Sequence, residues 1–383
     1  MLKQVTFNCF KSFINKTTMD LTPSKIEYLN DTNIYNGILK GLAFYGSNGS
    51  GKTNALNAIT LLLELLFFNN NNIVIFNLIF SKFTKEKKMS LEYVFEIDEA
   101  EIKYQFEITN GVGITNEILS QDNKILLNRT ITSAKSHITE NEDFDNLDKN
   151  NLFLKNIYFN TKFSNHKTLA HWFDYLQKSI YFNAFNAISQ IVPFDQEVAK
   201  TIYLENYLEN EGVNDINEFL NKFGFGFQIK YVSRKEIQSA FIPFVNRLLI
   251  QRKDLSDIPL FMESLGNKVF LSFLPSYLSV IKHGGMLIID EFSSGFHNDL
   301  EELLVSYFYK NSKNAQLFFV SHSTNILKTS IIRPDQVYAV DFDKDGSRIS
   351  KFSLYGMRES QNMEKLYLSG AFGGIPLYED KTK

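Results

Sequence analysis

The chain of 383 residues is 44% hydrophobic and 22% charged, the balance of a folded globular protein with a sizeable core rather than a disordered one. A formal net charge of -3 excludes a global basic field for nucleic acid and leaves only a local patch open. The single cysteine, Cys9, excludes an internal disulfide and a cysteine-based zinc site; it suits a reducing, cytoplasmic setting and reads as a small buried hydrophobe.

Along the chain, Leu2 to Phe7 alternates as a strand does, with no apolar run of the signal-peptide kind before it. Phe10-Lys11-Ser12-Phe13 follows, and Ile38 to Tyr45 reads as a second strand that runs into a glycine-rich loop. Thr53 to Phe68 reads as a core helix. Its apolar run from Leu61 to Phe68 is too short to span a bilayer and holds a glutamate, so no membrane partner is expected. The asparagine run Asn69 to Asn72 reads as a solvated loop. Ser90 to Ile97 and Ile102 to Thr109 alternate on either side of Asp98-Glu99-Ala100-Glu101, a hairpin signature, and Ile125 to Ile131 adds a further strand.

An acidic, polar stretch from Ser136 to Lys149 reads as a surface linker. From Asn150 to Gly212 the apolar spacing is closer to that of helices, and Trp172 and Phe173 read as core. Asp215 to Phe223 reads as a helix and Phe225 to Val232 as a strand. Helix and strand then alternate: Leu265 to Ile281, Met286 to Ile289, Asp299 to Tyr309 and Leu317 to Val320. That rhythm predicts a parallel sheet, closed by strands Val337 to Phe342 and Ile349 to Leu354. Three regions result: a first lobe over 1–135, a mainly helical insertion over 136–255 and a second lobe over 256–383.

The chemistry concentrates at a few places. Gly46-Ser47-Asn48-Gly49-Ser50-Gly51-Lys52-Thr53, followed by Asn54, is a complete phosphate-binding loop between a predicted strand and a predicted helix. Its glycines let backbone N–H groups turn inward, Lys52 neutralises the β and γ phosphates, Thr53 offers a hydroxyl to Mg²⁺, and the helix start adds positive potential. The implied ligand is ATP with Mg²⁺. Met286-Leu287-Ile288-Ile289-Asp290-Glu291 is a buried strand ending in two carboxylates, Asp290 as the Mg²⁺ partner and Glu291 as the group that polarises the attacking water. Leu317 to Ser321 is a further buried strand ending at His322, placed to meet the γ-phosphate. Ser264-Leu265-Gly266 opens the helix before the acidic strand. Ser264 reads both as a helix cap and as a contact to nucleotide on a second protomer. His297 reads equally as a helix-capping residue and as part of a loop crossing a dimer interface.

In this order, Phe10-Lys11-Ser12-Phe13, the P-loop, Ser264-Leu265-Gly266, Asp290-Glu291 and His322 resemble the ABC-type ATPase heads of the SMC/RecF class. The finer resemblance is to the AAA-labelled bacterial ATPases of the RloA/AbiL type, associated with abortive infection and phage defence. It is carried by Tyr104-Gln105-Phe106, Asn116 to Leu119, Asp290 to His297, Ser321 to Leu327, Arg333-Pro334-Asp335-Gln336 and the tail Tyr367 to Pro376. The chain departs from that pattern at Asn267, where a threonine is usual, and at Ser323, where an aspartate is usual.

The resemblance implies an α/β P-loop NTPase fold, an ABC-type head with an attached antiparallel sheet and a helical insertion. It implies a head-to-head homodimer or higher homo-oligomer with two ATPs between protomers, and a sensor or regulator role beside a separate effector, often a Toprim- or RloB-like nuclease. The alternative it leaves open is a DNA repair or chromosome-maintenance ATPase with direct nucleic-acid contact. A transporter subunit and a non-hydrolysing scaffold fit the motifs less well.

Overall fold

The computed structural model describes residues 1–68, 72–140, 143–184, 191–193, 202–233, 247–356 and 361–375. Asn69 to Asn71 of the asparagine run, parts of the expected helical stretch and Pro376 of the tail lie outside these residues.

Two sheets sandwich one helix. The first is antiparallel and eight-stranded, in the order Asp143–Phe144, Ala134–Ser136, Lys124–Arg129, Gly113–Gln121, Ala100–Thr109, Lys88–Ile97, Leu2–Asn8, Thr17–Asp20. Alternation sets its two faces: Ile102, Tyr104, Phe106 and Ile108 are fully buried while Lys103, Gln105 and Glu107 face outward. Cross-strand pairs such as Tyr93 with Tyr104 and Leu91 with Phe106 fix the register. The connecting turn places both Asp98 and Glu99 at positive φ, the geometry of a tight two-residue hairpin.

The second sheet has seven strands in the order Ile191–Pro193, Ile180–Asn183, Gly285–Asp290, Ala315–Val320, Gly41–Gly46, Val337–Asp343, Gly346–Lys351. Its five central strands are parallel and each edge strand is antiparallel. Gly41–Gly46, Gly285–Asp290 and Ala315–Val320 are buried at every position, as a sheet covered on both faces requires. Their side chains divide strictly by parity. Leu42, Phe44, Met286, Ile288, Phe318 and Val320 join one core with the antiparallel sheet and the helix Lys52–Phe67. Ala43, Tyr45, Leu287, Ile289, Leu317 and Phe319 join the other with helices Leu265–His283 and Asn298–Asn311. The Lys52–Phe67 helix lies between two sheets and is therefore apolar nearly all round.

The fold class expected from the sequence, an α/β P-loop NTPase with an antiparallel sheet, is the one observed. The 136–255 stretch contains helices Phe153–Thr161, Lys167–Gln177, Leu204–Asn210 and Asn214–Lys222, and the strand Gln228–Tyr231 lies within the one expected over Phe225 to Val232. It also supplies Ile180–Asn183 to the parallel sheet, and Gln228–Tyr231 and Leu248–Gln251 to a small antiparallel one. Ile180–Asn183 is too short to show a period, and its strand character comes from pairing with Gly285–Asp290. The last strand runs over Gly346–Lys351 rather than from Ile349, because pairing resumes right after a two-residue turn, with Asp343 opposite Gly346.

A buried ionic knot ties the antiparallel sheet to the Phe153–Thr161 helix. The Glu117 carboxylate accepts from the backbone N–H groups of Phe153 (2.8 Å) and Leu154 (2.7 Å) and from the Tyr104 hydroxyl (2.9 Å), with the Arg129 guanidinium at 3.4 Å. Arg129 also donates to the carbonyls of Asp148 and Asn151, each at 2.6 Å. Among the described residues no helix is long and apolar enough to cross a membrane.

Candidate active site

Parallel strands present their carboxyl ends to one edge of the sheet, and ligands of α/β proteins bind there. Here that edge carries Gly46, Asp290 and, just past Val320, His322. A cavity of about 520 Å³ opens at it, lined by Asn48, Gly49, Gly51, Lys52, Thr53, Asn54, Glu291, Ser294 and His322.

The loop needs its glycines. Gly51 sits at φ 108°, and a Cβ there would lie 2.3 Å from Ser347 Oγ and 2.7 Å from Ser12 Oγ. The Lys52–Phe67 helix starts immediately after it, so its free N–H groups and positive end face the cavity. Lys52 is buried, and its ammonium donates to the carbonyls of Gly46 and Ser47 at 2.9 Å each. Burial lowers its pKa, opposed by the Glu291 and Asp290 carboxylates.

The Thr53 hydroxyl donates to Asp290 Oδ1 at 3.0 Å, which joins the loop to the acidic strand. Asp290 is 3% exposed, and burial raises its pKa against the Thr53 hydrogen bond. Its second oxygen accepts from the Tyr181 hydroxyl at 3.4 Å, and the Glu291 backbone N–H donates to the first at 3.1 Å. A desolvated carboxylate next to a second one, Glu291, is a place that a divalent cation held by Thr53 and Asp290 would stabilise. The donor set fits Mg²⁺.

Glu291 adopts a left-handed backbone conformation, φ 54° and ψ 42°, uncommon for a non-glycine residue. Its carboxylate accepts from the Ser294 hydroxyl at 3.1 Å. The exposed His322 has its backbone N–H held by Ser293 Oγ at 3.0 Å. Partial desolvation of the ring against the site wall and the Lys52 charge lower its pKa, and Glu291 opposes them.

Lys52, Thr53, Asp290, Glu291, His322 and most of the loop thus converge. Gly46 and Ser47 line a neighbouring 350 Å³ cavity with Asn48, His322, Thr324, Tyr367, Leu368 and Ile375. Ser50 is buried in the loop, and its carbonyl accepts from Ser347 Oγ at 2.6 Å. Asn54 donates to Ser12 Oγ at 2.8 Å. Ser264 and Gly266 line neither cavity. Ser264 caps helix Leu265–His283, its Oγ accepting from Asn267 N–H at 3.3 Å, and it stands exposed beside the equally exposed Phe261, Met262 and Leu265. His297 caps Asn298–Asn311 through Asp299 N–H at 3.3 Å.

Sequence reasoning missed two residues at the site, Tyr181 and Ser347, and gave a third, Tyr367, only as the start of a tail that carries the family resemblance. Tyr181 reaches Asp290 from the short edge-side strand, and burial with the Asp290 charge raises its pKa to about 12. Ser347 bonds both Ser12 and the loop. Tyr367 brings the tail against Tyr45, ring centroids 5.7 Å apart. Tyr181 and Ser347 carry no local motif. Ser12 stood in the Phe10-Lys11-Ser12-Phe13 signature and Tyr367 in the tail, the two signals that touched this shell.

Residues 42–328 match the model of the family described as "AAA domain, putative AbiEii toxin, Type IV TA system". No curated protein matches the sequence. Among solved structures, the SMC head domain from Thermotoga maritima aligns at 15% identity and a TM-score of 0.49, covering 91% of this chain and 98% of that one. An SMC head bound to the C-winged helix domain of ScpA aligns at 13% identity and a TM-score of 0.50, covering 91% of this chain and 96% of that one. At such identity the likeness speaks to the fold, that of a P-loop NTPase head.

Proposed function

The chain belongs to this AAA-domain family, and from that premise we propose that it binds and hydrolyses ATP as a dimer and serves as the regulatory subunit of an abortive-infection defence system of the RloA/AbiL type. The observation that carries the ATPase reading is the Thr53–Asp290 hydrogen bond, with Lys52, Glu291 and His322 around the same cavity.

In this reading the loop's backbone N–H groups and Lys52 bind the β and γ phosphates. Thr53 and Asp290 would hold Mg²⁺, which when bound would supply positive charge to the phosphoryl oxygens. Glu291 orients the attacking water, its carboxylate fixed by Ser294. His322 meets the γ-phosphate from the end of the strand between those of Gly46 and Asp290, and its lowered pKa keeps the ring neutral and able to donate one hydrogen bond. Ser264 and Gly266, exposed outside the cavity, complete the site of a second copy, where the helix start at Leu265 adds its N–H groups. We read residues 1–135 and 256–383 as the two ATPase lobes and 136–255 as an insertion with structural and partner-binding roles. The chain would act in the cytoplasm on a separate effector, for which a Toprim- or RloB-like nuclease is our choice.

A second reading, an SMC/RecF-like ATPase acting on DNA, is favoured by the fold likeness to SMC heads. The test is to measure ATP turnover of the parent, Lys52→Ala and Glu291→Gln, then to capture partners of Glu291→Gln co-expressed with its neighbouring genes, with and without ATP. Loss of turnover in both variants and ATP-dependent recovery of a nuclease-like protein support the first reading. Recovery of DNA alone supports the second, and turnover unchanged in Glu291→Gln refutes its assignment.

A further inference from the structure

Glu301 lies outside both cavities and is fully buried in the first turn of the Asn298–Asn311 helix. Its Oε2 accepts from the Ser321 hydroxyl at 2.9 Å, and its Oε1 has no hydrogen-bond partner among the described residues. Ser321 Oγ in turn accepts from Ser323 N–H at 2.9 Å. The carbonyl of Ser323 accepts from the hydroxyl of Tyr45, the residue before the P-loop, at 3.0 Å. Between Ser321 and Ser323 stands His322, its own N–H on Ser293. The backbone on both sides of His322 is therefore held by side chains, and Glu301 is the inner end of that chain of bonds. The same helix follows the one-turn helix Phe292–Gly295, whose Ser293 holds His322 and whose Ser294 holds Glu291.

As a purely structural group Glu301 is a poor choice. A carboxyl removed from solvent with one hydrogen bond among the described residues destabilises a fold, and an apolar side chain of similar size would pack there without that penalty. Local rules broken at a core position point to function. We propose that Glu301 is a positioning residue for ATP hydrolysis, setting the His322 backbone through Ser321 and tying it to the loop that carries Glu291. This rests on the roles proposed for Glu291 and His322. Burial, opposed only by the Ser321 hydrogen bond, raises the Glu301 pKa to about 7. The titratable group facing it is the Tyr45 hydroxyl on the P-loop strand, which is faced in turn by Tyr309 and Tyr367. Glu301 thus carries its charge for only part of the time at neutral pH.

The experiment compares steady-state ATP turnover, thermal unfolding and ATP binding of the full chain with Glu301→Ala, Glu301→Gln, Ser321→Ala and the Glu301→Ala/Ser321→Ala pair. Glu301→Ala should lower kcat by about tenfold or more while KM for ATP stays within about threefold. Glu301→Gln, which keeps an acceptor for Ser321, should recover most of the turnover and flatten its pH dependence near 7. Ser321→Ala should match Glu301→Ala, and the pair should lose no more than either alone. A folded Glu301→Ala with kcat within about twofold of the parent overturns the proposal, as does Glu301→Gln no better than Glu301→Ala. If Glu301→Ala fails to fold, Ser321→Ala carries the test, and parental turnover in it overturns the proposal. A parent chain without Lys52-dependent turnover would overturn the underlying ATPase reading, and this inference with it.

Discussion

Glu301→Gln should change how stability depends on pH, and the direction follows from burial alone. The Glu301 carboxyl has its pKa raised from 4.5 to about 7 in the folded chain. The folded state therefore holds a proton that the unfolded chain has already lost between those values. Linkage then requires stability to fall as pH rises through that window and to level off above it. The usual paired carboxylate does the opposite, because its folded pKa is depressed. At about 1.4 kcal/mol per pKa unit, the loss from this one group is roughly 3 kcal/mol by pH 8. With the side chain fully buried, no allowance for solvent screening is needed. Glutamine is neutral throughout, so the gap in stability between Glu301→Gln and parent should widen by roughly 2.5 kcal/mol in favour of the variant between pH 5 and pH 8, the remainder of the loss falling below pH 5. Any fixed penalty for the buried amide shifts both ends equally and leaves the slope. For a chain of this size, unfolding as one unit, the widening corresponds to about 3 °C in Tm. Urea or thermal unfolding of both proteins across that range reads it directly. A gap that is constant with pH, or that narrows, would refute the reasoning.

Gly51→Ala should abolish ATP binding without unfolding the chain, because φ 108° and contacts of 2.3 and 2.7 Å to Ser347 and Ser12 leave no room for a methyl group. Isothermal titration with ATP decides, and parental affinity would sink the geometric argument. Ser264→Arg should spare ATP binding and block dimerisation, since Ser264 is exposed and lines no part of the cavity. Sedimentation of the ATP-loaded protein would show a closed dimer if the trans-contact reading is wrong. Glu117→Ala should destabilise the fold by about 3–5 kcal/mol, leaving Arg129 as an unpaired buried charge and freeing two helix N–H groups. A loss under about 1 kcal/mol in denaturant unfolding would contradict this.

Much of the fold was written in local pattern. The alternation of Ile102, Tyr104, Phe106 and Ile108 announces a half-buried strand, and the unbroken apolar run Met286 to Ile289 announces a strand covered on both sides. Ile180–Asn183 escaped because four residues have no measurable period. What makes them a strand is the register of Tyr181 with Ile288 and of Phe182 with Ile289, more than a hundred residues away in sequence. The same limit hid Gly346–Lys351, whose extent is decided by how soon pairing resumes after Asp343.

The site divides in the same way, and the division explains what a motif can encode. Lys52 and Thr53 are legible because strand, loop and helix are contiguous, so spacing alone fixes their geometry. Asp290, Glu291 and His322 are legible because each ends a buried strand, and parallel strands bring such ends to one edge. The residues that adjust these groups are not contiguous with anything. Tyr181 reaches Asp290 because its strand happens to lie next in the sheet, and Ser347 reaches the loop from a hairpin at the far edge. Glu301 reads in the sequence as an ordinary acidic residue of a helix's first turn, favourable to the dipole and expected to face water. Only the packing of that helix against the Ala315–Val320 strand turns it inward, to Ser321, and places a carboxyl that would otherwise face water in the core behind His322. Motifs state which atoms meet the phosphate, whereas tertiary neighbours decide how firmly those atoms are held. Substitutions that alter turnover without altering nucleotide binding should therefore fall among residues such as Glu301, Ser321 and Tyr181, which no motif names.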